Sequence, residues 1–351
     1  MLRPRKTVAS LSTYRSPITK RDGLSLDLNE NAAGCSPRVL ARLRALGERD
    51  VSMYPDREKG EQHVADFLAL DASQVLLTNG IDDALLLLFS AYLDPGDELI
   101  LADPTFVMYG VYGQALGAIV SRIMPTQDLS FPVTQVLDRI SSHTRVITIA
   151  NPNNPTGMAV TQADLLRIVQ AAPDAAVLVD EAYFEFHGET VISRIADYPN
   201  LFVARTFSKA IGMAGLRLGV LAGAREQIAP LRAFCSPFNV NTVALACLHD
   251  ALSDHEFVSH YVGEVKHGRE RLAKACRELG MHCWPSRANF VLVHVGDSVK
   301  EFAAALAKRG IYVRDMSSSP GCAGCIRITI PTESQMDRLL SALPESFVGQ
   351  R

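Results

Sequence analysis

Residues 145–150 read Arg-Val-Ile-Thr-Ile-Ala, and residues 151–155 read Asn-Pro-Asn-Asn-Pro. The first run is rich in β-branched side chains, which favour a strand, and the second contains turn residues that end one. Because the apolar residues do not alternate with polar ones, we expect a strand covered on both faces, as in a largely parallel sheet.

Further segments share this pattern of a short apolar run that is ended by polar or turn residues. They are 74–78, 98–102, 176–179, 200–204 and 218–222. Helical patterns such as 81–93 separate them, and strands that alternate with helices are typical of α/β proteins. We predict a large domain with a mostly parallel central sheet flanked by helices. Ligands of such sheets bind outside the carboxyl ends of the strands.

The pattern changes after about residue 245, where a long charged helical stretch covers 256–279. Short strand patterns then alternate with a helical pattern, which predicts a smaller α+β domain. The strand patterns are 289–294, 311–314 and 325–330, and the helical one is 299–309. We predict that residues 46–245 form the large domain, and that 1–45 and 246–351 together form the small one.

Composition excludes several classes of protein. Hydrophobic residues make up 48 % of the 351 residues and charged residues 21 %, which rules out disordered, collagen-like and coiled-coil chains. The formal net charge of −3 argues against a nucleic-acid-binding protein, which usually carries a basic excess. No apolar run approaches the ~20 residues of a membrane span, so we expect no membrane association. The basic N-terminus has no apolar stretch of the kind found in a secretory signal.

Seven scattered cysteines predict free thiols in a reducing compartment, so we expect a cytoplasmic protein. Cys322 and Cys325 have the CxxC spacing. A zinc site would need a second such pair, and a redox pair would need a strand-to-helix setting, whereas this pair precedes a predicted strand. We therefore predict no metal site and no role for the cysteines in the chemistry.

Lys209 is the first candidate for chemistry. It lies in Thr-Phe-Ser-Lys at 206–209, just beyond a predicted strand end, and Arg217 follows eight residues later. A lysine on a solvated loop is the alternative, but 210–218 carries one charge among apolar and small residues. Such surroundings lower the pKa of a lysine and favour the nucleophilic amine.

Other polar residues also occur at predicted strand ends. Asp180 closes an apolar strand, where a helix cap or a metal ligand is the alternative role, and Tyr183 follows three residues later. Asn154 offers an amide at another strand end. Residues 80–82 begin a predicted helix, whose first N–H groups can bind an anion.

The ordered set of motifs resembles the fold-type I pyridoxal-phosphate aminotransferases of class I/II, and most of all the histidinol-phosphate aminotransferases. Each motif alone is weak, but together they cover nearly the whole chain in the family's order. They are Leu-Asn-Glu-Asn at 28–31, Met-Tyr-Pro at 53–55, Asn-Gly-Ile-Asp at 79–82, Asp-Pro-Thr at 103–105, Asn-Asn-Pro-Thr-Gly at 153–157, Val-Asp-Glu-Ala-Tyr at 179–183, Thr-Phe-Ser-Lys at 206–209, Gly-Leu-Arg-Leu-Gly at 215–219 and Gly-Cys-Ile-Arg-Ile-Thr at 324–329.

The resemblance implies pyridoxal 5′-phosphate as the cofactor. It implies that Lys209 bonds to the cofactor aldehyde and moves the proton, with Asp180 at the ring nitrogen and Tyr183 at the phenolic oxygen. Tyr54 would reach the cofactor of a second subunit, which implies a homodimer with shared active sites. The implied cofactor-binding residues are Gly80, Ile81, Asp82, Phe106, Asn154, Asp180, Tyr183, Thr206, Ser208, Lys209, Arg217 and Tyr54.

The same resemblance implies the substrates. Arg327 is the family's clamp for a substrate anion, with a cross-strand ion pair as the alternative role, and Arg314, Tyr14 and Asn31 are further candidates. The implied reaction moves an amino group between glutamate/2-oxoglutarate and a second substrate. Our prediction for that substrate is histidinol phosphate, with imidazole acetol phosphate as its keto partner in histidine biosynthesis.

Several alternatives stay open at this point. The same scaffold supports aromatic or broad-specificity transamination and the decarboxylation of threonine phosphate, and specificity lies in loops that motifs do not fix. Phe106 and the short loop 316–321 depart from the commonest family pattern. A nicotinamide dehydrogenase would need G-x-G-x-x-G after a strand, and 212–219 lacks that spacing. A cofactor-binding sensor is the non-enzymatic alternative.

Overall fold

The structure is a computed structural model that describes residues 2–11 and 22–347. Its strands form two separate sheets, one of seven and one of five strands. The strands are β1 (Leu24–Leu26), β2 (Val75–Thr78), β3 (Glu98–Ala102), β4 (Ile119–Ile123), β5 (Thr144–Ala150), β6 (Ala176–Asp180), β7 (Leu201–Thr206), β8 (Gly219–Gly223), β9 (His282–Cys283), β10 (Phe290–His294), β11 (Ile311–Asp315) and β12 (Cys325–Thr329).

Helices connect the strands and cover the sheets. They are α1 (Lys6–Ala9), α2 (Pro37–Arg44), α3 (Glu48–Ser52), α4 (Arg57–Leu68), α5 (Ile81–Tyr92), α6 (Val107–Leu116), α7 (Val133–Arg139), α8 (Gln162–Ala171), α9 (Phe184–His187), α10 (Arg225–Phe234), α11 (Thr242–Ser253), α12 (His255–Glu278), α13 (Val299–Lys308) and α14 (Glu333–Ser346). In the described residues, no helix combines the length and the apolar character that crossing a bilayer requires.

The seven-stranded sheet has the order β2-β8-β7-β6-β5-β3-β4. Strands β4, β3, β5, β6 and β7 pair in parallel, whereas β8 is antiparallel to both of its neighbours. Leu178 of β6 enters the core shared with α5 and α6, while its neighbours Val177 and Val179 enter the core shared with α7 and α8. The prediction of a mostly parallel sheet covered by helices on both faces is confirmed.

The five-stranded sheet has the order β1-β11-β12-β10-β9 and is mostly antiparallel. Its apolar face packs on α12, α13 and α14, with Tyr261, Phe290 and Leu343 buried in one cluster. Strand β1, which lies near the start of the chain, pairs in parallel with β11. This pairing brings residues 27–31 against the C-terminal part of the chain, beside the carboxyl ends of the large sheet.

Three strands were missed by the sequence patterns, of which β9 has two residues. Strand β4 lies at the edge of the large sheet and is half-exposed, so it lacks the apolar run by which the other strands were recognised. Strand β1 has three residues, which is too short for a periodic pattern. Helices α2 and α11 both pack with β2 and β8 of the large sheet. The division of the chain near residues 46 and 245 stays a prediction.

Candidate functional site

A cavity of about 610 Å³ lies where the carboxyl ends of β3, β5, β6 and β7 face the smaller sheet. It collects most of the residues that the motifs predicted, from segments far apart in the chain. The predicted residues on its wall are Ile81, Asp82, Phe106, Asn154, Asp180, Tyr183, Thr206, Ser208, Lys209, Arg217, Arg314 and Arg327.

Lys209 is the amine of the cavity. Its Nζ donates a hydrogen bond of 3.1 Å to the carbonyl oxygen of Leu28 and lies 5.9 Å from the centre of the Tyr183 ring. Burial, and next the nearby charge of Arg327, lower the pKa of Lys209 to about 8. A substantial fraction of the amine is therefore neutral near pH 8, which is the form that attacks a carbonyl or accepts a proton.

Asp180 ends β6 inside the cavity and is buried. Its Oδ2 accepts a hydrogen bond of 2.6 Å from the Tyr109 hydroxyl, and its Oδ1 accepts one of 3.0 Å from the Ala182 N–H. Burial raises the pKa of Asp180 to about 6, and these two hydrogen bonds act in the opposite direction. The carboxylate is therefore charged at neutral pH and can accept from a protonated base in the cavity.

An anion-binding cradle lies at the start of α5. Gly80 precedes the helix with φ +77°, and a Cβ there would lie 2.5 Å from Nη2 of Arg217. Arg217 also has a left-handed backbone, φ +53°, and its guanidinium is 3.5 Å from Ser208 Oγ and 3.4 Å from Asp82 Oδ2. A helix start, an arginine and a hydroxyl thus converge in one place, the usual donor set for a phosphate.

Tyr183 and Asn154 supply neutral polar groups. The Tyr183 hydroxyl accepts a hydrogen bond of 2.9 Å from Asn29 Nδ2, and Asn154 Oδ1 accepts one of 2.5 Å from Arg327 Nη1. Phe106 packs edge-on against Tyr109 with ring centres 5.6 Å apart. The wall between the amine and the carboxylate is therefore aromatic and amide-lined.

Two arginines face each other on the smaller sheet. Arg314 of β11 and Arg327 of β12 are directly opposite in an antiparallel register, and both line the cavity. Arg327 Nη2 donates a hydrogen bond of 2.6 Å to the carbonyl oxygen of Asp27. Like charges in directly opposite positions repel, so this pair favours the entry of an anion.

Three of the predicted residues that the structure describes do not line the cavity. Gly80 lies behind Arg217, as described above. The Asn31 amide bonds the Ala210 carbonyl at 2.8 Å and the Ala33 N–H at 2.9 Å. Tyr54 is 79 % exposed and stacks on Phe238 with ring centres 4.2 Å apart. Tyr14 lies outside the described residues.

Sequence reasoning missed several residues of the wall, among them Tyr109, Asn29, Arg122 and Asp103. Arg122 Nη1 pairs with the Asp103 carboxylate at 3.1 Å, at the carboxyl ends of β3 and β4. Asn29 could have been predicted as a site residue from its place in the motif at 28–31. Nothing in the sequence indicated Tyr109. Among the residues that the structure describes, no group of three or more His, Cys, Asp or Glu side chains could hold a metal ion.

Comparison with known proteins gives a consistent result. Residues 21–343 match the family model described as aminotransferase class I and II. Histidinol-phosphate aminotransferase of Symbiobacterium thermophilum is 36 % identical over 92 % of this chain and 90 % of the relative, and that of Roseobacter denitrificans is 34 % identical over 96 % of both. The crystal structure of histidinol-phosphate aminotransferase from Sinorhizobium meliloti in complex with pyridoxal-5′-phosphate superposes with a TM-score of 0.90, at 23 % identity, covering 99 % of this chain and 98 % of that one.

Proposed function

The chain belongs to the class I and II aminotransferase family and is a pyridoxal-phosphate-dependent transaminase, and we propose that it interconverts histidinol phosphate and imidazole acetol phosphate with 2-oxoglutarate and glutamate. The names of its relatives support this choice of substrate. The proposal extends to a role in histidine biosynthesis.

The opposed pair Arg314 and Arg327 is the observation that carries the proposal. Two guanidinium groups on one wall match a substrate anion, either the phosphate of the donor or the second carboxylate of glutamate. The same cavity contains Lys209, whose lowered pKa favours the neutral amine. The arginines can therefore hold the substrate anion while the amino-bearing carbon of the substrate lies near Lys209. Holding both ends lowers the entropy cost of reaching the reactive geometry.

The residues present fit the cofactor. The close approach of Arg217 to Gly80 leaves no space for a Cβ, as expected where a backbone and a guanidinium surround a phosphate. We propose that the cofactor phosphate is held by Arg217, Ser208, Thr206 and the first N–H groups of α5. Asp82 would contribute its backbone N–H, while its carboxylate accepts a hydrogen bond from Arg217 and orients that guanidinium. Phe106 would lie against the cofactor ring, and Asn154 and Tyr183 would reach its phenolic oxygen.

The cofactor supplies an electron sink that stabilises negative charge at the substrate carbon. Asp180 would face the ring nitrogen as a carboxylate, the form that its hydrogen bonds from Tyr109 and Ala182 favour. Lys209 Nζ would hold the aldehyde of the cofactor, and its amine would carry a proton to and from the substrate carbon, for which a pKa near the working pH is best.

A panel of amino donors tests the substrate. The rate of glutamate formation from 2-oxoglutarate is measured with L-histidinol phosphate, L-histidinol, phenylalanine, aspartate and O-phosphothreonine. We expect kcat/KM for histidinol phosphate to exceed that for L-histidinol at least about 100-fold, since the two differ only in the phosphate. Equal values for phenylalanine and histidinol phosphate would refute the assignment in favour of a broad-specificity enzyme. Release of carbon dioxide from O-phosphothreonine would identify a decarboxylase.

We also propose a cytoplasmic homodimer. Supporting the dimer is an exposed apolar patch around the stacked rings of Tyr54 and Phe238, with the exposed Val51 and Met53 just before Tyr54 in the chain. Patches of this kind are typical of interaction surfaces, and Tyr54 would extend from this one to the cofactor phosphate of the second subunit. Seven free thiols support a reducing compartment.

The two-domain organisation is proposed with the large domain over 46–245 and the small one over 1–45 and 246–351. What supports it is the presence of two separate sheets, of which the smaller combines β1 with β9–β12. Helix α2 lies within the range proposed for the small domain but packs on the large sheet, and α11 continues this packing beyond residue 245.

A further inference from the structure

Leu129 joins the two sheets at one edge of the cavity. It lies between β4 and α7, in the layer of the large sheet, yet it is buried among residues of the smaller sheet. Its cluster contains Leu292 of β10 and Cys325 of β12, together with Cys322 and the partly buried Met316 and Trp284. This contact is thus a small apolar bridge between the two layers.

The backbone around Leu129 is built to present its side chain. Leu129 has φ +62°, a left-handed conformation that a leucine adopts only where its surroundings compensate for the strain. Asp128 Oδ1 accepts hydrogen bonds from Thr126 Oγ1 at 2.8 Å and from Ser130 N and Oγ at 3.1 and 2.7 Å. These bonds close a compact turn, 126–130, with Leu129 projecting from it. They also lower the pKa of Asp128 to about 2, so the turn keeps its acceptor at neutral pH.

The receiving side is equally specific. Gly321 has φ +74°, and a Cβ there would lie 3.0 Å from Leu129 Cδ2 and 2.9 Å from Pro125 Cγ. Met316, Ser318, Ser319 and Pro320, which precede Gly321, line the cavity on the side of Arg314. Met316 therefore has two neighbours: the Leu129 cluster on one side and the substrate cavity on the other.

We propose that Leu129 is a positioning residue that holds segment 316–321 against the substrate side of the cavity. Leu129 itself does not line the cavity and acts through Met316. With the side chain inserted, the segment is fixed against the large sheet, and Arg314, two residues before Met316, is held at the substrate. Without the Leu129 side chain, the segment loses this apolar contact with turn 126–130, and donor binding weakens while the cofactor site is unchanged. Only the expected change in donor KM rests on the proposed function; the contact between Leu129 and segment 316–321 does not.

Cys322 and Cys325 provide a readout that needs no turnover. Both thiols are buried in the Leu129 cluster, and burial raises the pKa of Cys322 to about 12 and that of Cys325 to about 11. Thiolates are the reactive form, so alkylation at neutral pH is slow while the cluster is closed. Loss of the Leu129 side chain exposes both sulfurs and accelerates alkylation.

The experiment compares Leu129→Ala, Leu129→Met and Gly321→Ala with wild type as holoenzymes. Leu137→Ala is the matched control, because Leu137 of α7 packs against the core between the large sheet and α7 and α8, a different cluster from that of Leu129. Iodoacetamide labelling of Cys322 and Cys325 is followed by peptide mass spectrometry, and KM and kcat are measured with the best donor of the panel. We expect Leu129→Ala and Gly321→Ala to label about tenfold faster and to raise the donor KM about tenfold with kcat within about twofold. Leu129→Met should behave as wild type.

Labelling of Cys322 and Cys325 at the wild-type rate in both Leu129→Ala and Gly321→Ala would overturn the inference. Faster labelling with an unchanged donor KM would overturn the positioning role. The same changes in Leu137→Ala would also overturn it, since they would trace to general loosening. A wild-type enzyme that is inactive with every donor would refute the proposed function, and the labelling rates would still decide whether Leu129 closes the cluster.

Discussion

The Tyr109 hydroxyl donates a 2.6 Å hydrogen bond to Oδ2 of Asp180, and both side chains are buried. The bond links the first turn of α6 to the end of β6, so the orientation of the carboxylate is fixed from the neighbouring helix. In a buried setting such a bond favours the ionised carboxylate, which burial alone would disfavour. Tyr109 therefore favours the ionised form of Asp180, which the proposed contact with the cofactor's ring nitrogen would require.

Tyr109→Phe should weaken cofactor binding. Removal of the hydroxyl raises the pKa of Asp180 further above its ordinary value, so a larger fraction is protonated near pH 6. We expect cofactor affinity to fall about tenfold there and to recover as the pH rises, because the ionised form is restored. Equilibrium titration of the apoenzyme with pyridoxal phosphate between pH 5.5 and 8.5 measures the shift. Tyr92→Phe, which removes a hydroxyl bonded to Gln227 away from the cavity, is the control. Parallel affinity curves for wild type and Tyr109→Phe would contradict the expectation.

Uptake of the cofactor should depend on pH through Lys209. Its pKa of about 8 is lower than that of an ordinary lysine, so the neutral amine becomes the major form above pH 8. About one amine in a hundred is neutral at pH 6 and about half at pH 8. We expect the rate of covalent cofactor uptake by the apoenzyme to rise about tenfold per pH unit up to pH 7.5 and to level off above 8.5. Stopped-flow absorbance records this rate, and a rate that still rises tenfold per unit at pH 10 would mean that the amine has an unshifted pKa.

Lys209→Ala should abolish transamination and leave the fold intact. The substitution removes one hydrogen bond, to the carbonyl oxygen of Leu28, and also removes a buried amine whose charged form burial disfavours. Borohydride reduction of the wild-type holoenzyme should fix the cofactor to the peptide that contains Lys209, and the variant should bind cofactor without any such fixation. Mass spectrometry of the reduced peptides and circular dichroism of both proteins test this. Fixation at another lysine would contradict the assignment.

The strand ends were predictable because each buried strand is an apolar run that stops at a polar residue. Once the strands are parallel, Asn154, Asp180 and Lys209 must meet at one edge, whatever their separation in sequence. The predicted strand at 176–179 in fact continues to Asp180, so the carboxylate belongs to the sheet and is held rigidly.

Contacts that depend on helix rotation and strand register were not predictable. Tyr109 reaches Asp180 because it lies on the face of α6 that is turned toward β6. Apolar residues occur all around α6, so the sequence does not show which face this is. Arg314 and Arg327 face each other because β11 and β12 pair in one particular register. Two antiparallel strands joined by a loop as long as 316–324 can pair in several registers, so the sequence did not predict this one. Leu129 gave no signal because a left-handed leucine departs from the propensities that sequence patterns use.

Arg314→Ala should affect the donor and leave the fold unharmed. The substitution removes one of two opposed like charges, so the melting temperature should hold or rise. The KM for histidinol phosphate should increase about tenfold or more through loss of a charge-assisted contact, with a smaller change for L-histidinol. Steady-state kinetics with both donors and thermal unfolding measure these effects. Arg167→Ala, which removes a surface arginine paired with Asp164, is the control. An equal change for both donors would show that Arg314 does not contact the phosphate.

The two aromatic residues of the exposed patch should separate dimer formation from cofactor binding. Tyr54→Phe keeps the stacking on Phe238 and removes the hydroxyl, so we expect an intact dimer whose cofactor affinity is about fivefold lower. Phe238→Ala removes the ring beneath Tyr54 and should raise the dimer dissociation constant at least about tenfold, and cofactor affinity should then fall with dilution. Analytical ultracentrifugation and cofactor titration at several protein concentrations test both variants. If wild type sediments as a monomer and still binds the cofactor tightly, Tyr54 does not act across a subunit interface, and each chain carries a complete site.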